Sequence, residues 1–432
     1  MIHSHRYVGV FIIIVTLFTL EFAMKSSNDT LSNHSMDLIK IFSKSWDSPS
    51  FAVFMQNCNL YGFYIFNTLW AIYVLTSGPK IGQILWVNSI GSGVVITSLL
   101  SCFYRKLRPS WNDITTTILG SNKDYANPSF FVTITGTITF GALVLHFFHN
   151  DDFCLNNTEK ESLEKSRRSL AYSQISRILI VLLAVAIYGF LAFSELYIEA
   201  STIGDVIHGC LLSLICVCAF FFLFRSRLIE YYKSALTETM VLKNSFMTLG
   251  FIFLITIAII YMTYGIFRTL DMSISPAIIE HVKSKIKDFT KETPLNASII
   301  NAGLGFVAIG ANLGLLVSPQ VIGIDPTRVT LNTGFHKKFF RLFFVIFMIM
   351  PLPFAMILYI PLSPVTVSIW FKAIIPSAAF GFSFFTLSDF LMARLRLLPK
   401  IESKEPKEDK KNVIITIEDF DIKKENGVPL LI

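Results

Sequence analysis

The sequence predicts an all-α fold: a polytopic transmembrane bundle of about nine to ten hydrophobic helices. Three observations carry this. The 432 residues are 53% hydrophobic and only 16% charged. Phenylalanine alone contributes 41 residues, and the mean hydropathy is +0.58. The apolar residues also fall in runs long enough to span a bilayer, which a soluble domain has no way to hide.

The net charge of +7 sits in short loops between those runs. In a membrane protein this marks cytosolic loops, and nothing points to nucleic acid. The six cysteines, Cys58, Cys102, Cys154, Cys210, Cys216 and Cys218, contain no C-x-x-C pair and lie in or beside apolar runs. They read as packing thiols, with no disulfide framework and no zinc site. The sequence implies no metal and no cofactor.

Along the chain, residues 1–23 read as a signal peptide or signal anchor, apolar from Tyr7 to Ala23. Residues 24–50 are polar and carry two glycosylation sequons, at Asn28 and Asn33, so this segment is expected in the lumen. Further spans are expected at 61–76, 84–102, 130–148, 178–193, 207–224, 246–266, 298–317, 340–359 and 365–391. Alternation from a luminal 24–50 puts the basic loops 160–177, 225–243 and 328–341, and the tail after Arg394, in the cytosol, as the positive-inside rule asks. The sequon at Asn156 then falls on the wrong side for use. The loop 268–295 falls in the lumen despite five basic residues. Its pattern Ile279, Val282, Ile286, Phe289 suggests a short amphipathic helix on the membrane surface. A sequon at Asn296 agrees with a luminal loop. The chain thus divides into 1–23, 24–50, a transmembrane core over 51–228, C-terminal transmembrane helices over 229–396 and a charged cytosolic tail over 397–432.

Three polar stations fall on the luminal face: 101–109 (SCFYRKLRP), 128–131 (PSFF) and 194–209 (SELYIEASTIGDVIHG). Ionisable groups at a membrane edge are functional candidates, and stations from different helices can build one site.

The spacing of these stations resembles the type 2 phosphatidic acid phosphatase superfamily, and most closely its sphingosine-1-phosphate phosphatases. The family pattern is K-x6-R-P, then P-S-G/T-H, then S-R-x5-H-x3-D. Here it reads Ser101 with Arg108-Pro109, then Pro128-Ser129-Phe130-Phe131, then Ser194-Glu195 with Ser201 and Asp205. The stretch from Asp205 to Gly209 and the region 54–70 resemble that family too. The resemblance implies a phosphatase-like six-helix core, dephosphorylation of lipid phosphate monoesters, a sphingoid phosphate or related membrane lipid as partner, and the endoplasmic reticulum membrane as location. It implies no protein partner.

It also implies roles. The third-motif His attacks phosphorus, oriented by its Asp. The second-motif His protonates the leaving alkoxide. The Lys, both Args and the Ser hold phosphate oxygens. This chain has Ser201 at the nucleophile position, Phe131 at the acid position, Ser101 at the Lys position and Glu195 at the second Arg position. Arg108, Ser129, Ser194 and Asp205 still match. A Phe has no proton to donate. A carboxylate beside Ser201 is a weak base for an alcohol, and the nearest imidazole is His208. A carboxylate facing a phosphate charge at 4 Å costs roughly 4 kcal/mol at an effective dielectric of 20. The expectation is therefore an inactive relative that binds lipid or regulates. An active lipid phosphatase, and an unrelated polytopic transporter or receptor, stand as alternatives.

The blander roles are equally concrete. Asp205 caps the helix that begins near Val206; Phe130 and Phe131 line the bundle or plug the pocket; Glu195 and Glu199 share a face. An Arg108–Glu195 ion pair closing the phosphate seat is also expected. Gly303, Gly305, Gly310 and Gly314 form either a helix-packing face or a flexible gate.

Overall fold

The computed structural model describes residues 48–77, 80–112, 123–147, 174–237, 239–270, 274–286, 289–322 and 365–394, with Val15, Asp37, Ile41 and Phe343 as isolated positions. The expected leader 1–23 apart from Val15, the sequons at Asn28, Asn33 and Asn156, the span 340–359 apart from Phe343, and the tail 397–432 lie outside the described residues. All that follows concerns the unit Met1–Leu398.

Among the described residues every regular element is helical. In order they are α1 (Pro49–Asn57), α2 (Phe63–Ser77), α3 (Lys80–Tyr104), α4 (Pro109–Asn112), α5 (Phe130–Phe147), α6 (Gln174–Tyr197), α7 (Ile203–Cys218), α8 (Arg225–Thr237), α9 (Thr239–Thr269), α10 (Pro276–Lys283), α11 (Thr293–Gly303), α12 (Val307–Ile322), α13 (Val365–Ile369) and α14 (Ile375–Arg394). Single π turns join α1 to α2, extend α7 and join α13 to α14, and a 3-10 turn joins α11 to α12. Seven of the resulting helices are long and apolar enough to cross a membrane, and α5 is a shorter apolar helix beside them. The chain is a multi-pass membrane protein. The span expected at 61–76 starts earlier, because Pro49 opens a helix that the π turn Cys58–Gly62 carries on into α2.

Local chemistry sets the helix ends. Thr202 and Asp205 form a reciprocal capping box at the start of α7. Ser275 caps α10 ahead of Pro276, accepting from the Ile278 N–H at 3.3 Å. Past the ends of α3 and α6 stand Arg105 (φ 49°) and Glu199 (φ 53°), two non-glycine residues in the left-handed region. Each reverses the chain there, as an αL residue after a helix does.

The central helix is α3. Of its membrane-length window 67% is buried, against 11% for α9. It packs against α5, α7, α11 and α12. Small residues allow that approach: a Cβ on Gly91 would stand 2.6 Å from the Ala308 Cβ and 2.7 Å from the Gly305 carbonyl oxygen. Trp86 anchors the contact with α5 by donating Nε1–H to the Ile138 carbonyl at 3.0 Å. At the opposite extreme, α9 turns Met247, Phe251 and Leu254 outwards. In a bilayer that face meets lipid, where apolar exposure is no penalty.

The closest pair is α12 and α14. A Cβ on Gly310 would overlap the Ala378 carbonyl, and one on Gly314 would meet the Phe382 carbonyl at 2.7 Å. Gly303 is filled by Ala373 and Gly305 by Val95 and Gly91. The glycine series is a packing face, the small-residue device of membrane helices.

The loop 274–289 also finds protein. Val282, Ile286 and Phe289 bury Trp111, with the Trp111 and Phe289 rings edge to face at 5.0 Å. The expected amphipathic period is present, and its apolar side covers the loop of the first polar station.

Candidate functional site

The three polar stations meet on one face. Backbone bonds tie them together: Ala126 N–H to the Lys106 carbonyl (2.9 Å), Ser110 N–H to the Glu199 carbonyl (3.1 Å) and Ser129 N–H to the Asp205 carbonyl (3.2 Å). The αL turns at Arg105 and Glu199 fold two of these loops over the helix ends.

At the centre stands Glu195, on the last turn of α6 and 1% exposed. Its Oε2 accepts from Ser201 Oγ at 2.8 Å and from Ser129 Oγ at 3.4 Å. Its Oε1 accepts from Asn59 Nδ2 at 3.2 Å, and the same amide reaches Ser194 Oγ at 3.3 Å. Four of the eight expected positions, Ser129, Ser194, Glu195 and Ser201, therefore share one buried knot, with Asn59 from the π turn as a fifth member. Hydrogen bonds to a carboxylate are the stronger kind.

Arg108 is elsewhere. The expected pair with Glu195 does not form. Its Nη2 contacts Asp124 Oδ1, its Nε donates to the Asp124 carbonyl at 3.0 Å, and its Nη1 donates to the Ala200 carbonyl at 2.9 Å. Asp124 lies sixteen residues on in the same loop, so its backbone and carboxylate both reach the guanidinium before a residue from another helix does. Asn301 of α11 donates to the second Asp124 oxygen at 3.3 Å.

Asp205 is wholly buried. Its Oδ2 accepts from the Thr202 backbone N–H and from Thr202 Oγ, both at 2.8 Å, and its Oδ1 holds Lys106 Nζ at 3.0 Å. The cap of this helix, which begins at Ile203, is Thr202 and not the expected Asp205, which sits three residues on as the reciprocal partner of the capping box and adds an ion pair. Lys106 also donates to Thr202 Oγ at 3.1 Å. Ser101 donates to the Ser98 carbonyl within α3 at 2.8 Å, a bond inside its own helix. Lys106, five residues beyond it, brings an ammonium to this face. His208 Nδ1 meets Asn127 Oδ1 at 2.8 Å and its ring lies against Tyr104. Those contacts are to the loop ahead of α5 and to the end of α3. Tyr125, in the same loop, is 2% exposed, and burial pushes its phenol well above the ordinary range. Asn296 lies in the first turns of α11 with its side-chain oxygen buried and without a partner.

Phe131 stacks on Phe63 with ring centroids 4.4 Å apart. Both belong to the wall of a cavity of about 580 Å³ that reaches Asn59, Arg108 and Asp124 at one end. Phe131 thus lines an open space instead of plugging one.

Lys106 and Arg108 are paired to Asp205 and Asp124, which leaves the Glu195 carboxylate without a cation among its hydrogen-bond partners. Among the described residues no cluster of His, Cys, Asp and Glu has the makings of a metal site. Sequence reasoning passed over Asn59, Lys106, Asp124 and Asn301. Lys106 lay within the quoted SCFYRKLRP, and Asp124 stood as an acid just ahead of the PSFF turn. Neither falls at a position the family pattern marks.

Compared with family models, curated proteins and solved structures, the chain matches none.

Proposed function

We propose that this multi-pass protein is a non-hydrolysing relative of the lipid phosphate phosphatases, resembling the sphingosine-1-phosphate phosphatases, that holds a membrane lipid. One observation carries the reading: the Glu195 carboxylate accepts the hydroxyls of Ser129 and Ser201 and the amide of Asn59. In the pattern the chain resembles, the positions of Ser129, Glu195 and Ser201 surround the substrate phosphate. Here a side-chain anion takes the donors. The two cations in reach are each committed to a carboxylate. An incoming phosphate meets a seat already filled with negative charge, at a cost of several kcal/mol at this separation. The acid position holds Phe131, which has no proton to give a leaving alkoxide and packs against Phe63.

The test is phosphate release from sphingosine-1-phosphate by the purified chain in detergent. The expected rate equals that of the buffer. Release that disappears in Asp205→Ala would overturn the reading in favour of an active phosphatase with displaced groups.

A further inference from the structure

The cavity beside the Glu195 knot is mostly apolar. Its wall follows α2 and the preceding π turn from Asn59 to Leu75, sixteen residues or about 24 Å at the helical rise of 1.5 Å per residue. The deeper wall is Phe63, Val87, Ile134, Ile138, Leu304 and Phe384, from four helices and the 3-10 turn beside α12. Two of these walls, from α11–α12 and α14, lie outside the segment that resembles the phosphatases. Arg108, Lys123, Asp124 and Asn301 line it as well. Leu60 and Tyr64 line it too and are 43% and 51% exposed, so the chamber reaches the outer surface beside α2.

We infer that this chamber holds one single-chain lipid with an uncharged, hydroxyl-bearing head. The volume accommodates one chain. At about 30 Å³ per methylene, close to a water's share of liquid volume, sixteen carbons need about 480 Å³ and two such chains about twice that. The cavity offers about 580 Å³.

Charge argues for the head. All three donor directions used by Arg108 end on Asp124 or Ala200, both Asp124 oxygens are taken, and Lys123 is itself engaged. A charged head finds its counter-charges committed. Neutral groups are what the wall adds: Asn59, Asn67, Thr68, Asn301 and Ser377. Asn67 is 9% exposed; its Nδ2 donates to Thr135 Oγ at 3.3 Å, and its Oδ1 has no partner. A buried acceptor left unmet is costly, and a hydroxyl supplies the missing donor. The inference extends the lipid-holding function above by naming the lipid's class.

The test uses the full chain in phosphatidylcholine nanodiscs and a 1-monoacylglycerol carrying a sixteen-carbon chain with a terminal diazirine. After irradiation, peptide mapping is expected to place the cross-links on the wall residues of α3, α5 and α14. Excess unlabelled monoacylglycerol should reduce labelling at least tenfold, while the lysophosphatidate of equal chain length, cholesterol and diacylglycerol leave it within twofold. Ile134→Trp or Leu304→Trp, each filling the chamber from a different wall, should reduce it at least tenfold. Cross-links on the lipid-facing side of α9, or stronger competition by lysophosphatidate or cholesterol, overturns the inference, and the map in the unaltered chain needs no variant to fold. Phosphate release would remove the proposed lack of turnover and leave the labelling pattern intact. Failed labelling would remove the chamber and leave the lack of turnover intact.

Discussion

The hydroxyl of Ser201 donates to Oε2 of Glu195 across 2.8 Å, with both residues 1% exposed. By the resemblance these are the positions of a nucleophile and of a phosphate-binding cation. In this chain they hold each other. A buried hydroxyl fixed to a carboxylate is a structural donor, and the carboxylate is a resident anion.

Glu195→Gln should destabilise the chain by about 1–3 kcal/mol, because one amide oxygen cannot receive what two carboxylate oxygens receive and a buried hydroxyl loses its acceptor. Thermal unfolding in detergent measures this as a drop of several degrees. An unchanged transition would show that the knot contributes nothing to folding.

Lys106→Met should cost about 2–4 kcal/mol, since it strands a wholly buried Asp205 carboxylate. The figure sits below that for a fully buried pair because the lysine side chain is 23% exposed. Adding Asp205→Asn should recover part of the loss, giving a coupling of at least about 1 kcal/mol in a double-mutant cycle. Strict additivity of the two changes would mean that the pair is only a neighbour contact.

Much of this fold was legible in the sequence, and the reasons are physical. Apolar runs at spanning length became helices at every described position, while the cap moved from Asp205 to Thr202, because a Thr three residues ahead of an Asp completes a capping box. The site was legible as a place but not as a set of bonds. Glu195, Glu199, Asp124 and Asp205 are alike as letters. Which of them meets Arg108 depends on the direction in which the loop between α3 and α5 folds, and no local pattern encodes that. Asn59 was hidden for a different reason. It reaches Glu195 only because a π turn at Cys58–Gly62 sets its side chain against the end of α6. The glycines of α11 and α12 were visible, but their role as a packing face needed the partner backbone of α14.

That packing makes a sharp contrast between two glycines. Gly310→Ala pushes a methyl into the Ala378 carbonyl and should cost about 2 kcal/mol or more through overpacking. Gly250→Ala on α9 meets nothing within 4 Å and should leave stability unchanged or raise it by up to about 1 kcal/mol. Unfolding midpoints of the two variants, measured side by side, decide the matter. Equal effects would deny the α12–α14 contact.

Restoring the nucleophile alone should not restore turnover. Ser201→His places an imidazole beside Glu195, which accepts its N–H and holds it in the buried knot. The carboxylate still fills the phosphate seat, Lys106 and Arg108 remain committed to Asp205 and Asp124, and Phe131 still has no proton for a leaving alkoxide. Groups that act as a unit are not rescued one at a time. Phosphate release from sphingosine-1-phosphate by the Ser201→His variant is therefore expected at the buffer rate. Adding Glu195→Arg and Phe131→His should be the minimum that raises it, since together they empty the seat, reverse its charge and supply the acid. Hydrolysis in the single variant would mean that the Glu195 carboxylate does not occupy the phosphate seat.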